Sequence, residues 1–159
     1  MKKLLRLTAL FSIGAILFTS CGKDGAVGPQ GPAGIPGNAN VQTGVFLNQS
    51  FTFVAANSDY ELYLNYNAIT QYVLDQGAVI VYFQTTSNTS GWTMLPATFA
   101  GAPVNTSYGL GQVEITDGTM PTGLFNFKVV VIPPAVMKAH PGVNFSNYSE
   151  VRNAFNIQN

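Results

Sequence analysis

Apolar and polar residues alternate with a period of two in several short runs after residue 41, which is the pattern of β-strands with one buried face. The runs predict five strands, at residues 50–54, 60–66, 78–83, 112–115 and 124–132. The run AVIVYF, at 78–83, is apolar on both faces, which is typical of a central strand in a sheet. Turn-forming pairs such as Gln76-Gly77 separate these runs. Short strands divided by turns predict an all-β domain, either an antiparallel β-sandwich or a partly open barrel.

The last predicted strand shows the alternation most clearly. Its apolar positions share one face, which we expect to form the core: Phe125, Phe127, Val129 and Val131. The residues between them, Asn126 and Lys128, are then expected to point outward from the core.

Two segments follow the helical period instead. Residues 69–77 have apolar side chains at helical spacing and end at Gly77, a residue type that favours helix C-termini. Near the end of the chain, Asn147 is a suitable N-cap and Glu150 stands three residues later, which is the spacing of a capping box. The sequence therefore predicts a short C-terminal helix over 147–155. It would pack on the sheet through one apolar stripe: Tyr148, Val151, Ala154 and Phe155.

The first twenty residues have the pattern of a targeting segment. Three of the first six are basic, and a largely apolar run follows at 7–18, which has the length of a signal-peptide core and is short for a membrane span. The small residues Thr19 and Ser20 then precede Cys21, the only cysteine. This order resembles the lipobox of bacterial lipoproteins, although that box usually has Leu where this chain has Phe18. There the cysteine is lipidated and becomes the mature N-terminus. A plain secreted protein and an uncleaved anchor helix are the alternatives.

Residues 22–39 divide into six triplets that each begin with glycine: GKD, GAV, GPQ, GPA, GIP and GNA. Glycine at every third position is what the crowded axis of a collagen triple helix requires. Because so few triplets must offset the ordering entropy of three chains, we favour a monomeric extended spacer that reaches roughly 56 Å. A triple-helical stalk beneath a homotrimer is the alternative. The predicted organisation is a signal peptide at 1–20, a lipidated cysteine with a collagen-like linker at 21–40, and a β domain at 41–159.

Charge is scarce in this chain. Only 9% of the residues are charged, against about a quarter in a typical soluble domain, and such a polar but uncharged surface suits an exported protein. Without residues 1–20, four basic and seven acidic side chains remain, which gives a net charge of −3. So few basic groups cannot neutralise a phosphate backbone, and we expect no nucleic-acid partner.

Residues that could perform catalysis or hold a metal are few. His140 is the only histidine, in a loop-like context before Pro141, and it lacks the companions that a metal site needs. Asn57, Asp59 and Glu61 alternate as at the start of a calcium loop, but the glycine that such a loop needs at its tight turn is missing. We therefore expect no enzyme activity, no cofactor and no metal.

Aromatic side chains are the remaining candidates for ligand binding. Trp92 follows the polar segment TTSNTSG, and with Tyr82 or Tyr108 nearby in space it could stack on a sugar ring. A lone tryptophan in a small β domain is more often buried, and here it could close the edge of the sandwich with Leu95 and Pro96. We favour this structural role and keep Trp92, Tyr82 and Tyr108 as candidate stacking residues.

The whole chain resembles a family of outer-envelope lipoproteins from Gram-negative bacteria. The resemblance rests on the lipobox cysteine, the triplets ending GIPGNAN, the segments GAVIVYF, WTMLP and FKVVVI, and the final YSEVRNAF. It implies anchorage to the outer membrane through lipid on Cys21, on the periplasmic or the cell-surface face, and it implies no catalytic residues. We therefore expect a non-enzymatic β domain for binding, adhesion or envelope structure, with a glycan or a protein as its ligand. The alternative is a carbohydrate-binding accessory lipoprotein that uses exposed aromatic residues, and a hydrolase ranks below both.

Overall fold

Two antiparallel sheets make up about half of residues 40–157, the part of the chain that the computed structural model describes. The strands are β1 (Gln42–Gln49), β2 (Thr52–Val54), β3 (Asp59–Asn65), β4 (Ala78–Thr85), β5 (Asn88–Met94), β6 (Ala97–Phe99), β7 (Ala102–Gly109), β8 (Gln112–Asp117) and β9 (Phe125–Ile132). The helices are α1 (Gln71–Gln76), α2 (Pro134–Ala139) and α3 (Tyr148–Ala154). The first sheet has the strand order β1-β9-β4-β5, and the second has the order β2-β3-β8-β7-β6. The all-β sandwich with a short C-terminal helix, which the sequence predicts, is therefore confirmed.

Three predictions concern residues outside this range. They are the signal peptide at 1–20, the lipidation of Cys21 and the spacer formed by the triplets at 22–39. Within residues 40–157, no helix combines the length and the apolar character that a membrane crossing needs.

Apolar side chains from both sheets fill the space between them. Strand β9 lies inside the first sheet, and each of its residues is buried. Phe125 and Phe127 project from β9 into this core, where their rings lie 5.7 and 6.3 Å from the ring of Phe51 and 6.5 Å from that of Phe83. Rings at these distances, tilted or edge to face, stabilise the core beyond their area burial. The inward face predicted for β9 is confirmed.

The outer face of the first sheet is covered as well, by α2 and α3. Apolar residues of β4 and β9 pack there against the helices: Ile80, Tyr82, Val130 and Ile132 against Val136, Tyr148, Val151 and Phe155. Asn126 and Lys128 also lie on this face, pointing away from the core between the sheets as predicted. They are nevertheless only 8% and 4% exposed, so neither faces solvent. Trp92 and Tyr148 cover Lys128, and Asn126 accepts a hydrogen bond of 3.0 Å from the N–H of Asn48. Alternation assigns a residue to a face, but it does not say whether another layer covers that face.

Helix α1 ends where the sequence predicts, but for a different reason. Its N-cap Thr70 accepts a hydrogen bond of 3.4 Å from the N–H of Val73. Gly77 closes the helix with an extended backbone, not the left-handed one that often selects glycine there. A Cβ on Gly77 would lie 2.6 Å from the carbonyl oxygen of Ile132. Glycine is therefore required because the chain passes close to β9 as it enters β4.

Helix α3 begins at its predicted cap. The Oδ1 of Asn147 accepts hydrogen bonds from the N–H groups of Ser149 and Glu150, at 3.1 and 3.4 Å. The side chain of Glu150 also reaches back, but it accepts from the N–H of Asn144 at 2.8 Å and not from Asn147, so the reciprocal half of the capping box is wrong. The cap makes Tyr148 the first residue of the helix and places it above the sheet.

Candidate ligand-binding site

A pocket of about 460 Å³ lies where the edge strand β5 meets the start of α3. Trp92 projects into it from β5 and Tyr148 from the helix, with their ring centroids 6.0 Å apart. Around these rings the wall is polar and consists of Thr89, Gly91, Ser146, Asn147, Ser149 and Arg152. The volume is in the usual range for a small-molecule site, and the lining combines aromatic surfaces with convergent polar groups, although it is more polar than is usual for such sites.

The apolar side of α3 fixes this wall of the pocket. Val151 and Phe155 are fully buried against the first sheet, at the spacing of one helical face. The ring of Phe155 stacks on that of Phe145 at 6.4 Å, and His140 at the end of α2 lies 5.1 Å from Phe155. Because these contacts hold the helix, Tyr148 and Arg152 are presented to the pocket from a fixed element.

Lys128 lies beneath the two aromatic rings. Its Nζ donates a hydrogen bond of 2.6 Å to the hydroxyl of Tyr148, and it lies 4.5 Å from the Tyr148 ring centroid and 4.7 Å from that of Trp92. No ion pair joins this ammonium to an acidic residue in the described range 40–157. A buried cation without an anion is costly, and two ring faces offset only part of that cost, by about 0.5–2 kcal/mol each.

Tyr82 stands behind the pocket and does not line it. Its side chain is fully buried on β4, and its ring lies 5.0 Å from that of Tyr148. The hydroxyl donates a hydrogen bond of 2.6 Å to the carbonyl oxygen of Phe145, which ties the segment before α3 to the sheet. Burial raises the pKa of Tyr82, and the neighbouring Tyr148 adds to the effect. Tyr82 is thus in place to position Tyr148, whereas a ligand has no access to its ring.

Tyr108 is not brought to this pocket. It lies on β7 of the second sheet with 39% of its surface exposed, and its hydroxyl is 3.1 Å from the Oγ1 of Thr106. Of the three candidate stacking residues, Trp92 therefore lines the pocket, Tyr82 supports it and Tyr108 lies elsewhere. Trp92 also differs from its expected structural role, because it packs on the outer face of the first sheet while Leu95 belongs to the core between the sheets.

Tyr148, Lys128 and Arg152 adjoin the pocket, but the sequence pattern does not mark them as site residues. The pattern places Tyr148 in the buried stripe of the C-terminal helix, where it does lie, and the residue also contributes to the pocket wall. The pattern places Lys128 on the outward face of its strand. The spacing of Tyr148 and Arg152, four residues apart on one predicted helix, is the one sequence signal that places an aromatic ring and a cation side by side.

A separate polar cluster lies on the outer face of the second sheet around Tyr63. The Tyr63 hydroxyl is 2.5 Å from Glu61 Oε2 and 3.1 Å from Glu114 Oε1. Asn57 donates to the other oxygen of Glu61 at 2.5 Å, and Ser107 donates to Glu114 at 2.7 Å. Hydrogen bonds from Tyr63 and Asn57 lower the pKa of Glu61, while accepting carboxylates raise the pKa of Tyr63. The carboxylates of Glu61 and Glu114 thus both accept hydrogen bonds from neighbouring side chains.

The residues that resemble the start of a calcium loop belong to this cluster. Asn57 and Glu61 bond to each other, and Asp59 Oδ1 accepts from the N–H of Tyr60 at 2.8 Å. Across residues 40–157, no three acidic, histidine or cysteine side chains converge as metal ligands would. Local hydrogen bonding therefore accounts for the alternation of these three residues.

Comparison of the chain with protein-family models, with curated proteins and with solved structures found no match. The resemblance to envelope lipoproteins therefore stays a prediction. The function proposed for the pocket rests on its residues and their geometry.

Proposed function

We propose that this protein is a lipid-anchored envelope protein whose β domain binds a carbohydrate in the pocket that Trp92 and Tyr148 line. The pocket itself is the observation that carries the proposal. It places two aromatic rings beside hydroxyl and amide groups in a space of about 460 Å³. A sugar ring presents an apolar face edged by hydroxyls, so it needs an aromatic surface with polar groups at its margin.

The role proposed is binding and not catalysis. Ser146, Ser149 and Thr89 supply hydroxyls to the wall, and Asn147 supplies an amide. These groups can hold a ligand by hydrogen bonds. A hydrolase needs a hydroxyl activated by a neighbouring base or a pair of carboxyl groups around the reacting bond, and the residues that line the pocket include no histidine, aspartate or glutamate. The Oδ1 of Asn147 is already engaged in capping α3, which leaves its amide N–H groups to face a ligand.

The anchor is proposed on the sequence of the N-terminal segment. Lipid on Cys21 would attach the protein to a membrane, since each buried CH₂ adds about 0.8 kcal/mol and several chains make the attachment durable. The triplets at 22–39 would then hold the β domain clear of the lipid headgroups. Mass spectrometry of the membrane fraction is expected to find a mature chain that begins at a lipid-modified Cys21. An unmodified Cys21, or a chain that begins elsewhere, would contradict the anchor.

The carbohydrate site is tested with the detergent-solubilised full chain on a panel of neutral and acidic oligosaccharides. Binding is expected to be lost in Trp92→Ala, to be weakened in Trp92→Phe and to be unchanged in Tyr108→Ala. Tyr108 is the matched control because it is an exposed aromatic residue on the other sheet. Circular dichroism checks that each variant is folded. Saccharide binding that survives in a folded Trp92→Ala protein would contradict the proposal.

A further inference from the structure

We propose that the ligand of this pocket is an acidic sugar, whose carboxylate is bound by Arg152 in the positive field of Lys128. This inference rests on the proposed carbohydrate site and specifies the chemical class of its ligand. It follows from the distribution of charge around the pocket and from the burial of Lys128.

Positive charge is concentrated at this pocket. Residues 40–157 contain three lysine or arginine side chains, namely Lys128, Lys138 and Arg152. Arg152 lines the pocket and Lys128 lies under its two rings, whereas Lys138 is exposed on α2. Two of the three cations thus adjoin one pocket of a domain whose acidic residues outnumber its basic ones. A locally positive region on a domain of net negative charge attracts an anionic ligand and disfavours a cationic one.

Arg152 is placed to contact the ligand directly. It is partly buried in the pocket wall, one helical turn after Tyr148, and its guanidinium forms no hydrogen bond or ion pair with other residues in the described range 40–157. A guanidinium presents a planar fork of donors that matches a carboxylate in a bidentate manner. A carboxylate attached to a sugar that stacks beside Trp92 would meet this fork.

Lys128 acts from beneath the rings and does not line the pocket. The Lys128 residue is 4% exposed, and its ammonium donates one hydrogen bond, to Tyr148, so its charge has no anionic partner within the described part of the chain. An uncompensated buried charge acts strongly over short distances because little water screens it. A bound carboxylate would provide the missing counter-charge, which favours an acidic over a neutral sugar.

The pocket wall contains no acidic side chain that would repel an anionic ligand. The eight residues that line the pocket include Arg152 and no aspartate or glutamate. Glu150 is the acidic residue of α3, and its carboxylate is engaged with the N–H of Asn144. An anionic group in the pocket would therefore meet hydroxyls, an amide and a guanidinium, without a like charge in the lining.

Isothermal titration of the detergent-solubilised full chain with oligogalacturonate and with the matching neutral galactan oligomer tests the inference. The acidic oligomer is expected to bind about ten to a hundred times more tightly, the range for one charge-assisted hydrogen-bonded contact, and to lose affinity as salt increases. Arg152→Gln is expected to bring the two affinities close together. Lys138→Gln removes the same charge away from the pocket and is expected to leave the ratio unchanged.

Failure of the acidic-sugar inference can be told apart from failure of the proposed carbohydrate site. Equal affinities for acidic and neutral oligomers, both lost in Trp92→Ala, would overturn the acidic-sugar inference and leave the carbohydrate site standing. Acidic binding that Lys138→Gln weakens as much as Arg152→Gln would mean attraction to net charge alone, and would also overturn the inference. Absence of Trp92-dependent binding to either oligomer would overturn both this inference and the proposed function.

Discussion

Lys128 donates a hydrogen bond of 2.6 Å to the hydroxyl of Tyr148, and this bond joins the middle of the first sheet to helix α3. Both side chains are buried, so the bond is made to a charged group away from water. Tyr148→Phe keeps the ring and removes the acceptor. It is expected to lower the free energy of unfolding by about 1.5–3 kcal/mol, the range for hydrogen bonds to charged groups, as measured by urea denaturation.

Lys128→Met provides the matched background for that measurement. Methionine keeps most of the side-chain volume and removes the buried charge, and such replacements are often neutral or stabilising. Without the ammonium, Tyr148→Phe is expected to cost much less than it does in the unmodified protein. An equal cost in both backgrounds would show that the hydroxyl of Tyr148 does not stabilise the charge.

Phe127 fills the core between the sheets and is 1% exposed. Phe127→Ala is expected to destabilise the domain by about 3–5 kcal/mol, because the removed ring leaves a cavity among packed aromatic residues. Leu47→Ala is the control, since Leu47 lies on the edge strand β1 with 58% of its surface exposed and its truncation is expected to change stability by no more than about 0.5 kcal/mol. Comparable losses in the two variants, measured by denaturant unfolding, would place the core elsewhere.

The sequence predicts the strands that bury a regular apolar face and misses most of the strands that do not. Strands β3, β4, β8 and β9 each have a buried face or two, so their apolar residues recur at every second position or continuously. Strand β5 is an edge strand with the sequence NTSGWTM, and β7 loses its buried face after Val104. A strand that buries few side chains has a weak periodic signal, although its backbone pairs as well as any other.

The same limit applies to the pocket. Trp92 and Tyr82 stand out in the sequence as aromatic residues beside turns, and the structure brings both into the cluster around Tyr148. The sequence does not show that Lys128 lies beneath the pocket, because its burial depends on α3 lying over the outer face of the first sheet. That placement is a contact between distant segments, and a local pattern does not encode it.

Glu61 is expected to make the protein sensitive to acid. Its pKa is lowered from 4.5 by hydrogen bonds from Tyr63 and Asn57, so the native state favours the charged carboxylate. A lowered native pKa contributes stability that is present above about pH 4.5 and is lost as the pH falls through the native value. Thermal melting between pH 7 and pH 3 is expected to show this loss, with a smaller loss in Tyr63→Phe and the smallest in Glu61→Gln. The same pH dependence in all three proteins would assign the acid sensitivity to other groups.

The triplets at 22–39 are expected to act as a spacer for a single chain. The β domain buries two cores within itself, one between the sheets and one beneath the helices. A triple helix would have to be stabilised by the contacts of only six triplets per chain. Those contacts would have to offset the conformational entropy lost when three chains become ordered. Light scattering on a lipid-free chain that lacks residues 1–21 is expected to give the mass of one chain, with residues 22–39 present or deleted. A mass of three chains that falls to one on deletion would show instead that the triplets form a trimeric stalk, and the pockets would then be displayed three at a time, with a corresponding gain in avidity for a repeating polysaccharide.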